Sequence, residues 1–180
     1  MKIKINFAIV AVGLLAIVSL LMRLVPHPAN FVPIAALALL AGTYLRRRWA
    51  VLLPVAVMAI SDLFIGLHSV ILFTWGSFLL VGMLGWWIRR EKNIWRVTGG
   101  TLAGSVIFYL VTNFAVWAFT PLYAKTFAGL VQSYYMAIPF FRNTVLGDVF
   151  YAAVFFGTYE IAAYLVRQRQ TKATLATEKK

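Results

Sequence analysis

Cysteine is absent from the 180 residues. Disulfides, thiolate metal centres and thiol nucleophiles are therefore excluded. Acids are scarce too: Asp and Glu number five against 17 Lys and Arg, and histidine occurs twice. No H-x3-H or HExxH spacing gathers metal ligands, and no G-x-S-x-G elbow or phosphate loop is found. Without an ATP-binding motif, the chain cannot drive ATP-dependent transport by itself. Internal repeats are also lacking. No cofactor and no metal site is expected.

What fills the chain is apolar. Hydrophobic residues make up 62% and charged ones 12%, with a mean hydropathy of +0.84. A soluble domain of this size has no core large enough to hide that much apolar surface, so a bilayer must take the remainder. Runs of about 17 to 22 residues with few charges recur, the length that crosses a hydrocarbon core of roughly 30 Å. The sequence predicts an all-α membrane protein of six spans, roughly Ile5–Leu24, Phe31–Leu45, Trp49–Leu67, Val70–Ile88, Val97–Ala118 and Thr144–Val166. These form one transmembrane domain over 1–166, and "RQRQTKATLATEKK" over 167–180 reads as a disordered basic tail. The start, "MKIKINFAIVAVGLL", resembles a signal peptide. Its apolar run to Met22 is long for one and no small-x-small site follows, so it reads as a retained helix. The segment "FTPLYAKTFAGLVQSYYMAIPFFRN" is amphipathic and aromatic, which suits an interfacial or re-entrant cap.

Sorting the basic residues by alternate loops orients these spans. Lys2 and Lys4, Arg46 to Arg48, the cluster Arg89, Arg90, Lys92 and Arg96, and the tail cations share one side. That side holds 14, and the other holds only Arg23, Lys125 and Arg142. By the positive-inside rule both termini are cytoplasmic. The +12 charge thus reads as topology and contact with anionic lipid, not as a nucleic-acid surface.

The unusual residues then gather on the outer side. Asp62 and Asp148 lie roughly 6–8 Å below that boundary, at 1.5 Å of rise per residue. Arg23 ends the first span, His27 and Asn30 follow in "RLVPHPANFVP", and His68 ends the third. Asn113, Trp117 and Tyr109 share one face of the fifth span, while Arg142 and Asn143 open the sixth. Five of the six prolines stand on this side and should stiffen its connections. A carboxylate facing lipid costs several kcal/mol, so Asp62 should face the bundle interior or a wet cavity and have a partner, with Arg23, Arg142 and His68 as candidates. Asp–Arg pairs that only fasten helices are the plain alternative. They account less well for so many polar groups choosing one end. Glu160, on the inner half of the last span, snorkels to the boundary. Gly100-x3-Gly104 offers either bundle packing or a docking face for a partner helix.

The segments "RLVPHPANFVPIAALALLAG", "SDLFIGLH", "TNFAVW" and "IPFFRNTVLGDVFY" resemble an uncharacterised family of bacterial six-helix membrane proteins grouped near the S components of energy-coupling factor transporters. The length, the span count and the polar outer end are also similar to those S components. The resemblance implies an S-component-like bundle in the bacterial inner membrane that captures a vitamin or other micronutrient from outside, with an energy-coupling scaffold subunit and ATPases as partners. The ligand-binding residues it implies are Arg23, His27, Asn30, Asp62 and His68, together with Asn113, Trp117, Arg142, Asn143 and Asp148. The scaffold-docking A-x3-A face of the first helix is missing here, and Ala38-x3-Gly42 is a possible substitute. Solitary S components of the cobalamin type use a cysteine toward cobalt, which this chain lacks. Two further readings stay open: a membrane-embedded enzyme using His27 or His68 as acid or base, and an assembly subunit built around the Gly100 region.

Overall fold

A computed structural model describes residues 2–178. The described residues form seven helices and no strand: α1 (Lys2–Leu24), α2 (Ile34–Tyr44), α3 (Arg47–Ile65), α4 (Ile71–Arg90), α5 (Ile94–Phe119), α6 (Phe127–Met136) and α7 (Ile138–Glu178). Lys179 and Lys180, counted above in the basic tail, lie outside the described residues.

Five helices, α1, α3, α4, α5 and α7, are long and apolar enough to cross a membrane. Their patterning shows two faces. On α1, Ala8, Val12, Ala16 and Ser19 recur every three to four residues and are buried. Ile9, Leu14, Ile17 and Leu21, between them, are at least half exposed. Such a belt of bare aliphatic side chains fits lipid, not water.

The second expected span differs. α2 has only 11 residues, of which ten are buried. At 1.5 Å per residue it is about 16 Å long, roughly half a hydrocarbon core. Pro33, just before it, cannot extend the helix upstream with a backbone donor of its own. Helices α1, α3, α4, α5 and α7 all pack against α2, so it forms the axis of the bundle. An all-apolar sequence such as "IAALALLAG" belongs there, since no side of it meets water.

Backbones touch where α2 crosses α4. A Cβ on Gly42 would lie 2.3 Å from the Gly82 carbonyl oxygen and 2.7 Å from the Gly85 Cα. Gly82 faces the Ala50 carbonyl of α3 in the same way, at 2.6 Å from the Cβ position. Pro54 explains that carbonyl: it has no N–H to return to Ala50, so the oxygen is left to lean on Gly82. Ala38 and Gly42 are consumed by this contact, and the docking face expected there is not on the surface. Gly100 and Gly104 likewise sit buried against Ile88 and Val81 of α4, so their spacing serves internal packing.

The amphipathic segment after α5 is helical. Thr126 caps α6, its hydroxyl accepting from the Gly129 N–H, and α6 packs on α5 and α7. The last span begins at Ile138 instead of Thr144, with Pro139 tolerated in its first turn. It then runs through the tail to Glu178, where disorder was expected. Nine of the twelve residues from Arg167 to Glu178 are good helix formers (Arg, Gln, Lys, Ala, Leu and Glu), three are Thr, and no glycine or proline interrupts them, so local propensity favours continuing the helix.

Candidate functional site

A half-length axis leaves the other half of the bundle without a central helix. A cavity of about 730 Å³ is found there, with Val32 in its wall just before α2. The ends of α1, α3 and α5 and the starts of α4 and α7 surround it. Two connections reach its rim. After α1 the chain passes through Leu24–Asn30, where Asn30 adopts a left-handed φ of 63°, which Asn tolerates better than most residues. After α3, Gly66 turns at φ 113°, a conformation open to glycine alone, and delivers His68 to the cavity.

Arg23 is the most constrained wall residue. Its Nη2 lies 2.8 Å from Asp62 Oδ1, and its Nη1 donates to Ser61 Oγ and, at 3.4 Å, to the Met58 carbonyl. The other carboxylate oxygen, Asp62 Oδ2, accepts from Trp75 Nε1 at 2.8 Å. Ser61 is tied down in turn to the Val57 and Met58 carbonyls. Asp62 is therefore fully engaged and does not line the cavity. It stands behind Arg23 and fixes where the guanidinium points.

Aromatic rings make up much of the remaining wall: Phe78, Phe108, Tyr109, Phe140 and Phe141. Phe78 packs on Phe108 with centroids 5.2 Å apart, and Tyr109 on Phe141 at 4.5 Å. Tyr109 also donates its hydroxyl to the Tyr134 carbonyl at 2.7 Å, which anchors α6 beside the cavity. The threonine hydroxyls on the wall are turned to their own helices, Thr112 toward Phe108 O and Thr144 toward Phe140 O. Asn113 donates its amide to the Tyr109 carbonyl at 2.8 Å, which leaves its side-chain oxygen for a ligand donor. His27 has one ring nitrogen 2.9 Å from the Pro28 carbonyl.

The structure thus brings Arg23, His27, Asn30, His68 and Asn113 together. The other five residues expected with them sit elsewhere. Asp148 is buried on α7 and accepts from Ser105 Oγ at 2.6 Å, not from Arg142. Arg142 is exposed, and Asn143 stands beside it outside the cavity wall. Helix phase accounts for this: Phe141, Thr144 and Asp148 share one face, and Arg142 is turned about 100° from it. Trp117 lies beyond the cavity, its indole donating to the Ala124 carbonyl at 3.0 Å in the loop before α6. Asp62, as described, acts through Arg23. Sequence reasoning missed Trp75, Phe78 and Phe108, whereas Tyr109 and the aromatic segment that holds Phe140 and Phe141 were already placed at this end. Phe78, at the same end as His68 and facing Phe108, was a readable signal only once α4 had a rotation.

Among the described residues no group of three or more His, Cys, Asp or Glu could hold a metal ion. Chemically, the arrangement is an apolar, ring-lined chamber with a guanidinium held by Asp62 and Ser61, and two imidazoles and two carboxamides on its wall. No curated protein and no solved structure matches this chain, so nothing there links it to the S components. A family model matches over residues 3–173, and the chain belongs to that family of unknown function, DUF6580.

Proposed function

We propose that this chain is a multi-pass protein of the bacterial inner membrane that captures a small nutrient from outside and takes part in its uptake. The observation that carries this reading is the chamber of about 730 Å³ at one end of the bundle. Binding pockets for small molecules have this size, mostly apolar walls and a few placed polar groups. A flat solute of a few hundred daltons with polar edges, a vitamin for instance, suits five aromatic rings and the groups of Arg23, His27, His68, Asn30 and Asn113.

Six crossings with both termini inside complete the proposal. The chain passes from the chamber, at Val32, to the basic end, at Arg46, by way of α2, which supports counting α2 as a crossing despite its length. The chamber then opens on the side with few cations, the outer one. Partnership with an energy-coupling scaffold and its ATPases is part of the same reading, since the chain has no nucleotide site of its own.

Accumulation of a labelled vitamin mixture by cells with and without the protein tests this function. One compound should accumulate only when the protein is present, and less when His68 is replaced by Ala. Identical accumulation of every compound in both strains would contradict uptake.

A further inference from the structure

A second cavity, of about 370 Å³, occupies the other end of the bundle. It forms where α2 stops. Arg89 of α4 reaches across and caps the last turn of α2, donating Nε to the Thr43 carbonyl at 3.0 Å and Nη2 to the Gly42 and Leu45 carbonyls. Tyr44 stacks on Tyr159 of α7 with centroids 3.8 Å apart and donates its hydroxyl to Glu160. Lys92, in the connection after α4, holds its ammonium 4.5 Å from the Tyr44 ring centroid.

Charge here is unbalanced. Arg46, Arg89, Lys92 and Arg167 all line the cavity, and no carboxylate does. Of the acids beside it, Glu160 already accepts from Tyr44, and Glu91 pairs with Arg96 at 2.7 Å. Burial pushes Lys92 below the usual lysine range; Glu160 opposes that shift, while Arg89 and Arg167 add to it. Arg46, Lys92 and Arg167 face a cavity that no carboxylate lines, an arrangement that suits an anion. Apolar residues share the wall, and two of them open onto the bundle's periphery: Ile9 is 50% exposed and Trp49 42%. A free inorganic anion would leave that apolar side uncovered. An anion carrying hydrocarbon would satisfy both.

We propose that this cavity is a binding site for the phosphodiester headgroup of an anionic phospholipid, with the phosphate among Lys92, Arg46 and Arg167 and the acyl chains leaving past Trp49 and Ile9. Arg89 has a different task, because its Nε and Nη2 are committed to α2; it supplies field and shape. The site is separate from the nutrient chamber and does not depend on what that chamber binds. An occupied site would complete the end of the axial helix, tying α1, α2, α4 and α7 together through one lipid.

Native mass spectrometry of the full chain, released from nanodiscs of mixed phosphatidylglycerol and phosphatidylcholine, tests this. Wild type should retain one phosphatidylglycerol in preference to phosphatidylcholine. Lys92→Gln and Arg167→Gln should each lower that retention about fivefold, the effect of one basic residue near an anionic lipid. Lys92→Arg should restore it. Arg90→Gln removes the same charge from the same end but lies outside the cavity, and it should change nothing. Equal loss in Arg90→Gln, or no preference in wild type, would overturn the site in favour of diffuse surface attraction. Displacement of the lipid by millimolar inorganic phosphate would overturn the lipid in favour of a free anion. Elution position in gel filtration and unchanged phosphatidylcholine retention show that each variant is folded.

Discussion

Arg23 on α1 and Asp62 on α3 form an ion pair of 2.8 Å, with the carboxylate side chain 1% exposed and the guanidinium 13%. The pair joins two helices, and its Arg23 half lines the larger of the two cavities described. Both roles follow from one geometry. Breaking such a pair leaves one charge buried alone, at a cost of about 3–5 kcal/mol. Asp62→Asn should therefore lower thermal stability in detergent and also release Arg23, so ligand binding falls with it. Replacing both residues by Leu should recover most of the stability and none of the binding. Thermal unfolding of Arg23→Leu, Asp62→Leu and the double variant checks this; a double variant no more stable than the singles would show that the pair is not the unit.

Asp148 provides the contrast. Its carboxyl is buried, and its partner is the Ser105 hydroxyl, with no ion pair to a cation among the described residues. An Asn at 148 can still accept from Ser105. Asp148→Asn should cost about 1 kcal/mol, the scale of one neutral hydrogen bond, well below Asp62→Asn. Parallel unfolding curves of the two variants decide it.

The helix crossing at Gly42 offers a test of packing alone. Gly42→Ala puts a methyl 2.3 Å from the Gly82 oxygen, and neither neighbour is a side chain that can swing away. It should destabilise by about 3 kcal/mol, the upper end of ordinary overpacking. Gly76→Ala, on the same helix as Gly82, meets nothing within 4 Å and should gain about 0.5–1 kcal/mol of helix propensity. Similar melting temperatures for the two would refute close α2–α4 contact.

The long helices were legible because lipid demands long apolar runs. α4, at Ile71–Arg90, departs little from the expected Val70–Ile88. What was not legible was length inside the bundle. α2 sits among other helices, so its apolar run of "FVPIAALALLAGTYL" looks like a span whatever its length. The chamber owes its existence to that shortness. Site residues at helix ends, such as Arg23 and His68, could be placed by depth. Those on helix bodies needed rotation as well, and α7 turned Arg142 outward while Asp148 turned inward to Ser105. The tail after Val166 misled through its polarity, because helix propensity does not require an apolar face.

Absence of native cysteine makes topology directly measurable. Ala29→Cys stands exposed at the chamber rim, and Thr171→Cys is exposed on the far part of α7. In intact spheroplasts a membrane-impermeant maleimide should label Cys at 29 only. Permeabilisation should add labelling at 171. The reverse pattern would turn the chamber toward the cytoplasm.

Native mass spectrometry on protein purified from its own membranes reaches furthest. Solute capture by the chamber gives a wild-type species carrying one extra mass of a few hundred daltons, beyond lipid. Asn113→Ala with His68→Ala should lose that mass while keeping the unfolding temperature within about 0.5 kcal/mol equivalent, since both side chains stand on the cavity wall. A wild-type chamber that comes out empty from native membranes, or a mass retained equally by the variant, would contradict it.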